Sequence, residues 1–331
     1  VTFMFPEFQS FLANRRQEIA HNEQGEFRET SEPDTSLASA KIMEQLGIAR
    51  QPGITAHDQL SKWLLAASQA EREEAGLGLP IPASPVHFIP GQYNIYYDFK
   101  NTDIALDELQ KAGVDIKGTL LDFGCSSGRN LAVLQKAFGE QLELFGVDPA
   151  TASIEWVNKH IPGVVAKVSQ QEPPLPFDDG MFDLIIAKSI WTHFSEAAGK
   201  RWFSEMRRVM KKGGHFLFSV HGPHDIASRI IKDVPLPKYE RFAGHEKWTR
   251  DTFLLDLVKT YERDGFYFQP FKQVGNQGDL RLIEDAVTDD WGLTFISPEY
   301  LRSMLPDDIS IIQRSIGRTG NRHDVYVVRR D

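Results

Sequence analysis

At 331 residues the chain is long enough for two domains or for one enlarged α/β domain, and 41% hydrophobic side chains suffice to bury a core. A formal net charge of −9 and a pI near 5.6 weigh against a general nucleic-acid binder, whose phosphate contacts need lysine and arginine. One cysteine, Cys125, excludes an intrachain disulfide and fits a reducing cytoplasm, and no run approaches the ~18 apolar residues of a membrane helix.

The amino end, Val1 to Glu7, lacks the basic start of a signal peptide and has no initiator methionine, as a trimmed or fragmentary start would. Residues 1–75 are polar and carry two amphipathic helical stretches. Leu37, Ile42, Met43 and Leu46 share one face, ended by Gly47; Leu60, Trp63, Leu64 and Ala67 share another. The acidic stretch 23–34 reads as a loop or a disordered segment. Residues 76–91, rich in proline and glycine, read as a linker or an extended wall. Tyr93, Tyr96, Tyr97 and Phe99 follow, before a helix expected to be capped by Asp103 and ended by Gly113.

Residues 119–123 form a short apolar run ending in an acid and a glycine, as suits a buried strand of a parallel sheet. Gly124 and Gly128 let the chain turn sharply and leave the backbone bare for a ligand. Leu131, Val133, Leu134, Ala137 and Phe138 then give a helical face. The next strand, 142–147, ends at Asp148, an acid some 20 residues past the glycine turn and so a partner for a ribose diol. A dinucleotide fingerprint would need glycines where Ser126 and Arg129 stand, so a pyrophosphate is disfavoured.

Residues 182–187 read as the fourth strand, with Lys188, Ser189, Trp191 and His193 at its carboxyl end. Ser195 is the expected cap of a helix to about Met210, with Lys211 and Lys212 at its negative end and Gly213-Gly214 as its stop. Residues 215–220 form a fifth strand leading to His221 and His224. Beyond it lie a helix from Thr249 to about Asp264, a loop at 276–279, an apolar stretch 291–295, and a short helix started by Ser297-Pro298. Residues 309–314 and 324–329 read as a closing hairpin.

The ordered trio of Asp122-Phe-Gly-Cys-Ser-Ser-Gly-Arg129, Val147-Asp148-Pro149 and the fourth-strand segment resembles the class I S-adenosylmethionine-dependent methyltransferases over about residues 91–222. The string Arg207-Arg-Val-Met-Lys-Lys-Gly-Gly214 and the Arg322-His-Asp-Val-Tyr-Val-Val328 strand resemble that family too. The resemblance implies an α/β fold. Its doubly wound, mostly parallel seven-stranded Rossmann-like sheet would carry an antiparallel C-terminal hairpin, an N-terminal helical extension and a lid insertion. The expected division is 1–90 as the extension and linker, 91–224 as the cofactor-binding core, 225–300 as the lid, and 301–331 as the hairpin.

The resemblance also implies S-adenosyl-L-methionine as cofactor. Asp122 would lie near its amino group, and Gly124, Cys125, Ser126, Gly128 and Arg129 would form the loop around its methionine moiety. Asp148 would hold the ribose, Pro149 would lie near the adenine, and either Gln170 or Gln171 would accept the adenine amino group. Lys188 stands at the same cleft.

The reaction implied is methyl transfer, with oxygen of a small molecule or glycan as acceptor, nitrogen or carbon acceptors as the rival, and a non-catalytic binding module as a second class. For a hydroxyl acceptor, His193 and His221 are the candidate general bases, each with a structural role as the competing reading. Trp191 reads as core packing or as a stacking surface. No metal site, nucleic-acid partner or membrane insertion is expected, and a homodimer is compatible with the sequence.

Overall fold

The computed structural model describes residues 5–21, 24, 26–28, 35–78, 95–231, 242, 244–271, 289–319 and 322–331. In chain order these residues form α1 (Pro6–Asn14), α2 (Leu37–Gln45), α3 (Ala56–Ala66), α4 (Gln69–Glu74), α5 (Ile95–Lys111), β1 (Gly118–Phe123), α6 (Arg129–Phe138) and β2 (Leu142–Asp148). Next come α7 (Thr151–His160), β3 (Val164–Val168), β4 (Phe182–Ala187), α8 (Glu196–Val209), β5 (Met210–Val220), α9 (Pro223–Ile231) and α10 (Arg250–Asp264). The chain closes with β6 (Phe266–Pro270), β7 (Gly292–Ile296), α11 (Pro298–Met304), β8 (Ile309–Ser315) and β9 (Asp324–Arg330).

Seven strands form one sheet in the order β3-β2-β1-β4-β5-β9-β8, parallel from β3 to β5, with β9 antiparallel between β5 and β8. The expected sheet and closing hairpin are both present. The order in which strands are laid down across the sheet reverses between β1 and β4, and open α/β sheets hold ligands at the carboxyl ends beside such a switch.

Side chains that alternate along each strand feed two cores. Leu120, Leu144, Leu184, Ile186 and Leu217 face α2, α3, α5, α6 and α7. Leu121, Phe123, Phe145, Ile185, Phe216 and Phe218 face α8 and α11. A third core lies apart from the sheet, where Phe8 and Phe11 of α1 pack with Ile226, Phe253, Leu257, Tyr261 and Phe295.

Three local expectations are corrected. Asp103 lies in the middle of α5 rather than at its start, and it caps a different helix. Its Oδ1 accepts the Ala38 N–H at 2.7 Å and its Oδ2 the Ser39 hydroxyl at 2.5 Å, satisfying the open amino end of α2. The helix α8 ends at Val209, before the paired glycines, because Met210 is already extended (ψ 136°) and enters β5. Lys211 therefore pairs with Asp183 at 2.7 Å instead of the helix end. Finally, the chain after Gly222 turns into α9, and β6 pairs with β7, two elements absent from the sequence reading. The expected loops at 276–279 and in most of 23–34 and 76–91, with the side chains of Tyr93, Tyr96 and Tyr97, lie outside the described residues.

Candidate active site

The first wall of the cleft is made by the carboxyl ends of β1 and β2. Gly124 takes φ +78°, Ser126 +47° and Gly128 +74°, so the loop between β1 and α6 runs largely left-handed. Ser126 holds that conformation without glycine, a strain that surrounding contacts must offset. A Cβ at Gly124 would collide with Ile190 Cδ1, and one at Gly128 would sit 2.6 Å from Ile161 Cδ1 and 2.8 Å from Val157 Cγ2. Asp148 fixes the loop from β2: its Oδ2 accepts the Ser126 N–H at 2.9 Å and its Oδ1 the Ala150 N–H at 2.9 Å. Each carboxylate oxygen keeps a further lone pair for a ligand hydroxyl.

Asp122 closes the floor at 2% exposure. Its Oδ2, together with the Ser126 and Ser127 hydroxyl oxygens, is buried with no hydrogen-bond partner among the described residues. Buried polar atoms are normally satisfied, so these three are open to a polar ligand. Burial drives the Asp122 carboxyl up to about 7 and the Lys188 ammonium down to about 7, each opposed by attraction to the other. Lys188 Nζ donates to Asn101 O of α5 at 3.1 Å. Arg129 is ion-paired with Asp98, so it ties the loop to α5. Cys125 is buried under the loop, where its Sγ would meet any Cβ at Gly146. Pro149 is half-buried beside Asp148. Gln171 is half-buried and Gln170 exposed beyond β3, where the Ser169 N–H returns to Asp148 O at 3.1 Å.

The second wall is assembled over long range. The edge of β7 lies against the segment after β4: the Gly292 N–H donates to His193 O at 2.8 Å and the Thr294 N–H to Thr192 O at 2.9 Å. It also meets the end of β5, where the Ile296 N–H donates to His221 O at 3.0 Å. Alternate carbonyls of that same edge take up two imidazoles. His193 Nδ1 lies 2.7 Å from Gly292 O, and His221 Nδ1 lies 2.8 Å from Thr294 O. A carbonyl only accepts, so both rings carry their proton on Nδ1 and present Nε2 as an acceptor. Burial lowers the pKa of His193, and burial takes His221 down to about 4 with a smaller contribution from Arg229. Both rings are neutral at pH 7.

A third histidine, His323 at the start of the last strand, stands edge-on to His221 with ring centroids 4.5 Å apart. Its Nδ1 shares a 3.3 Å hydrogen bond with Ser219 Oγ, which also accepts the Ser189 N–H at 2.8 Å. The sequence reading had taken this residue only as part of a resembling strand. The other histidine and tryptophan side chains of this region pack against protein groups. Trp191 is fully buried and stacks on Phe203 at 4.6 Å, which is core packing. His224 stacks on Phe27 at 4.4 Å and accepts the Ala20 N–H at 3.1 Å, so it anchors the amino-terminal segment. Trp291 packs against His193 at 4.7 Å, and Trp248 against Phe253. Among the described residues no group of histidine, cysteine and carboxylate side chains is placed to hold a metal ion, and no helix is long and apolar enough to cross a membrane.

Residues 121–218, from β1 to β5, match the methyltransferase domain family. An uncharacterized protein of Methanocaldococcus jannaschii is 29% identical over 197 residues, covering 59% of this chain and 69% of that protein. Among solved structures, a protein of Pyrococcus horikoshii aligns with a TM-score of 0.47 at 17% identity, over 73% of this chain and 96% of its own. A S-adenosylmethionine-dependent methyltransferase of Methanosarcina mazei aligns with a TM-score of 0.43 at 16% identity, over 67% and 96%. The domain match falls on the strands that carry Asp122, the left-handed glycine loop and Asp148, so residues 121–218 are similar in sequence to the methyltransferase domain family.

Proposed function

We propose that this methyltransferase acts on a hydroxyl oxygen of a small molecule or saccharide, with His193 as general base. The observation that carries the reading is the Nδ1–H of His193 on Gly292 O, which leaves a neutral Nε2 as proton acceptor at the carboxyl end of β4. In this reading Asp148 binds the ribose diol through the lone pairs left over from its two backbone bonds. The unpartnered Asp122 Oδ2 receives the methionine ammonium, and the turn from Gly124 to Gly128 wraps the methionine chain. Pro149 and Gln170 or Gln171 line the adenine side. Arg129 and Lys188 act on charge balance rather than by direct contact, given their bonds to α5. Residues 225–300 supply, through β7, the wall that faces the acceptor.

S-adenosylmethionine supplies an already activated sulfonium methyl group. The protein's work is then to hold the acceptor oxygen in line and to remove its proton. His193 Nε2 takes that proton as the new O–C bond forms and the S–C bond breaks, leaving S-adenosylhomocysteine.

The test is in two parts. Calorimetric titration with S-adenosylhomocysteine should show binding that falls roughly 10- to 100-fold in Asp148→Ala, the loss of one or two hydrogen bonds to a charged group. With an acceptor in hand, His193→Ala should lower kcat roughly 10²- to 10⁴-fold while leaving cofactor affinity in place. Undiminished turnover in His193→Ala at every pH removes the base assignment and favours a nitrogen or carbon acceptor that needs none.

A further inference from the structure

One edge of β7 holds two histidines, and only one is used by the reading above. The residues Gly292 and Thr294 are two apart on the strand, so their carbonyls point the same way and lie about 7 Å apart. His193 and His221 each spend their N–H on one of these carbonyls. The Nε2 atoms of both rings have no hydrogen-bond partner among the described residues, and neither is sealed off as a buried unpartnered atom. His221 is 5% exposed, so its ring is largely removed from bulk water. The ring of Phe295 at 5.0 Å and that of His323 at 4.5 Å fix its plane.

We propose that the acceptor carries two hydroxyl groups on neighbouring atoms, one bound by His193 Nε2 and the other by His221 Nε2. This rests on the methyl-transfer reading and narrows its substrate class to a diol, aliphatic or aromatic. The geometry favours it for two reasons. The two imidazoles are anchored on carbonyls about 7 Å apart, and with each Nε2 reaching about 2.8 Å to a hydroxyl such a pair suits two oxygens on neighbouring atoms. A pocket that offers only acceptors selects a ligand that offers only donors at those points. A compound with one hydroxyl would leave the Nε2 of this largely buried ring unsatisfied, and sites built for a hydroxyl reject analogues that lack it.

In this arrangement His193 takes the proton of the hydroxyl that receives the methyl group. His221, bonded through its Nδ1–H to Thr294 O, accepts a hydrogen bond from the neighbour at Nε2 and stays neutral. His221 is thus a specificity residue, and His323 positions it.

The experiment uses the full chain saturated with S-adenosylhomocysteine, titrated calorimetrically with matched pairs: catechol against phenol, and cis-1,2-cyclohexanediol against cyclohexanol. At least one diol should bind about tenfold or more tighter than its partner. His221→Ala should reduce that preference to about twofold, and His221→Gln, which restores an acceptor, should recover part of it. Unchanged S-adenosylhomocysteine affinity in both variants shows that they fold. Equal affinities within each pair, failure of both diols to bind, or a preference that survives in His221→Ala overturns the proposal. Methyl transfer to the same compounds separates the two readings. Transfer that needs His193 but treats diol and mono-ol alike keeps the base and removes the diol. A diol preference with full turnover in His193→Ala does the reverse.

Discussion

The wall formed by β1 and β2 takes its shaping residues from one stretch of chain, 122–150, in which Asp148 reaches back to Ser126 across a single helix. The facing wall draws His193, His221 and His323 from three strand ends and orients the first two by carbonyls of β7, 99 and 73 residues away along the chain. The first wall is therefore a property of a local motif. The second is a property of the tertiary fold and exists only once β7 has docked. A substitution in one should leave the other standing, which makes the two functions proposed for them, cofactor binding and acceptor binding, separable by mutation.

Gly128→Val attacks the local wall and should have the largest effect. It places a branched side chain at φ +74° against Ile161 and Val157, at a cost of roughly 2–5 kcal/mol. A marked fall in the urea midpoint together with lost S-adenosylhomocysteine binding is expected. Gly292→Val attacks the other wall, because a Cβ there would lie 2.7 Å from Phe268 Cε2 and strike the backbone of Gln269. Turnover should fall roughly 100-fold, as expected for loss of a placed base, with cofactor affinity unchanged within about twofold. A joint loss of cofactor binding would show that the two walls are coupled.

A pH experiment is gentler. The folded-state pKa of His221 is lowered to about 4, so between pH 4 and 6.5 the unfolded chain binds the proton that the folded chain refuses. Stability should therefore rise with pH through that window, by up to about 1.4 kcal/mol per unit from this ring. His221→Gln should flatten the slope, measured as urea midpoints at pH 5 and 6.5. An unchanged slope would place the titration in His193 or His323, whose values are also lowered by burial. Smallest is Thr249→Ala, which removes the capping box of α10 and should cost about 1 kcal/mol without touching either wall.

The same contrast governs what could be read from the chain before folding. Ser195 and Ser297 act on neighbours within a few residues and cap their helices as the sequence leads one to expect, and Thr249, expected as the first residue of α10, is its cap. Asp103 was read by the same rule and misassigned, because its carboxylate serves a helix end 65 residues back. The strand β6 ends in Pro270 and runs Phe-Tyr-Phe-Gln, with no alternation to announce it. His323 carried no local signal at all. Its place comes from the antiparallel pairing of β9 with β5, which sets Asp324 opposite Val220 and so brings the preceding residue beside His221.

The third core ties the amino-terminal helix to the part of the chain that carries β7. Phe8 and Phe11 pack with Phe253 and Tyr261, and Arg15 Nε donates to Glu262 at 2.7 Å. A protease that clips the chain just after α1 would thus leave the glycine loop untouched while stripping the brace behind the histidine wall. Such a nicked protein should still hold its cofactor and yet hydrogen-exchange faster along β6, β7 and α10, so that the first helix serves the far end of the reaction rather than the near one.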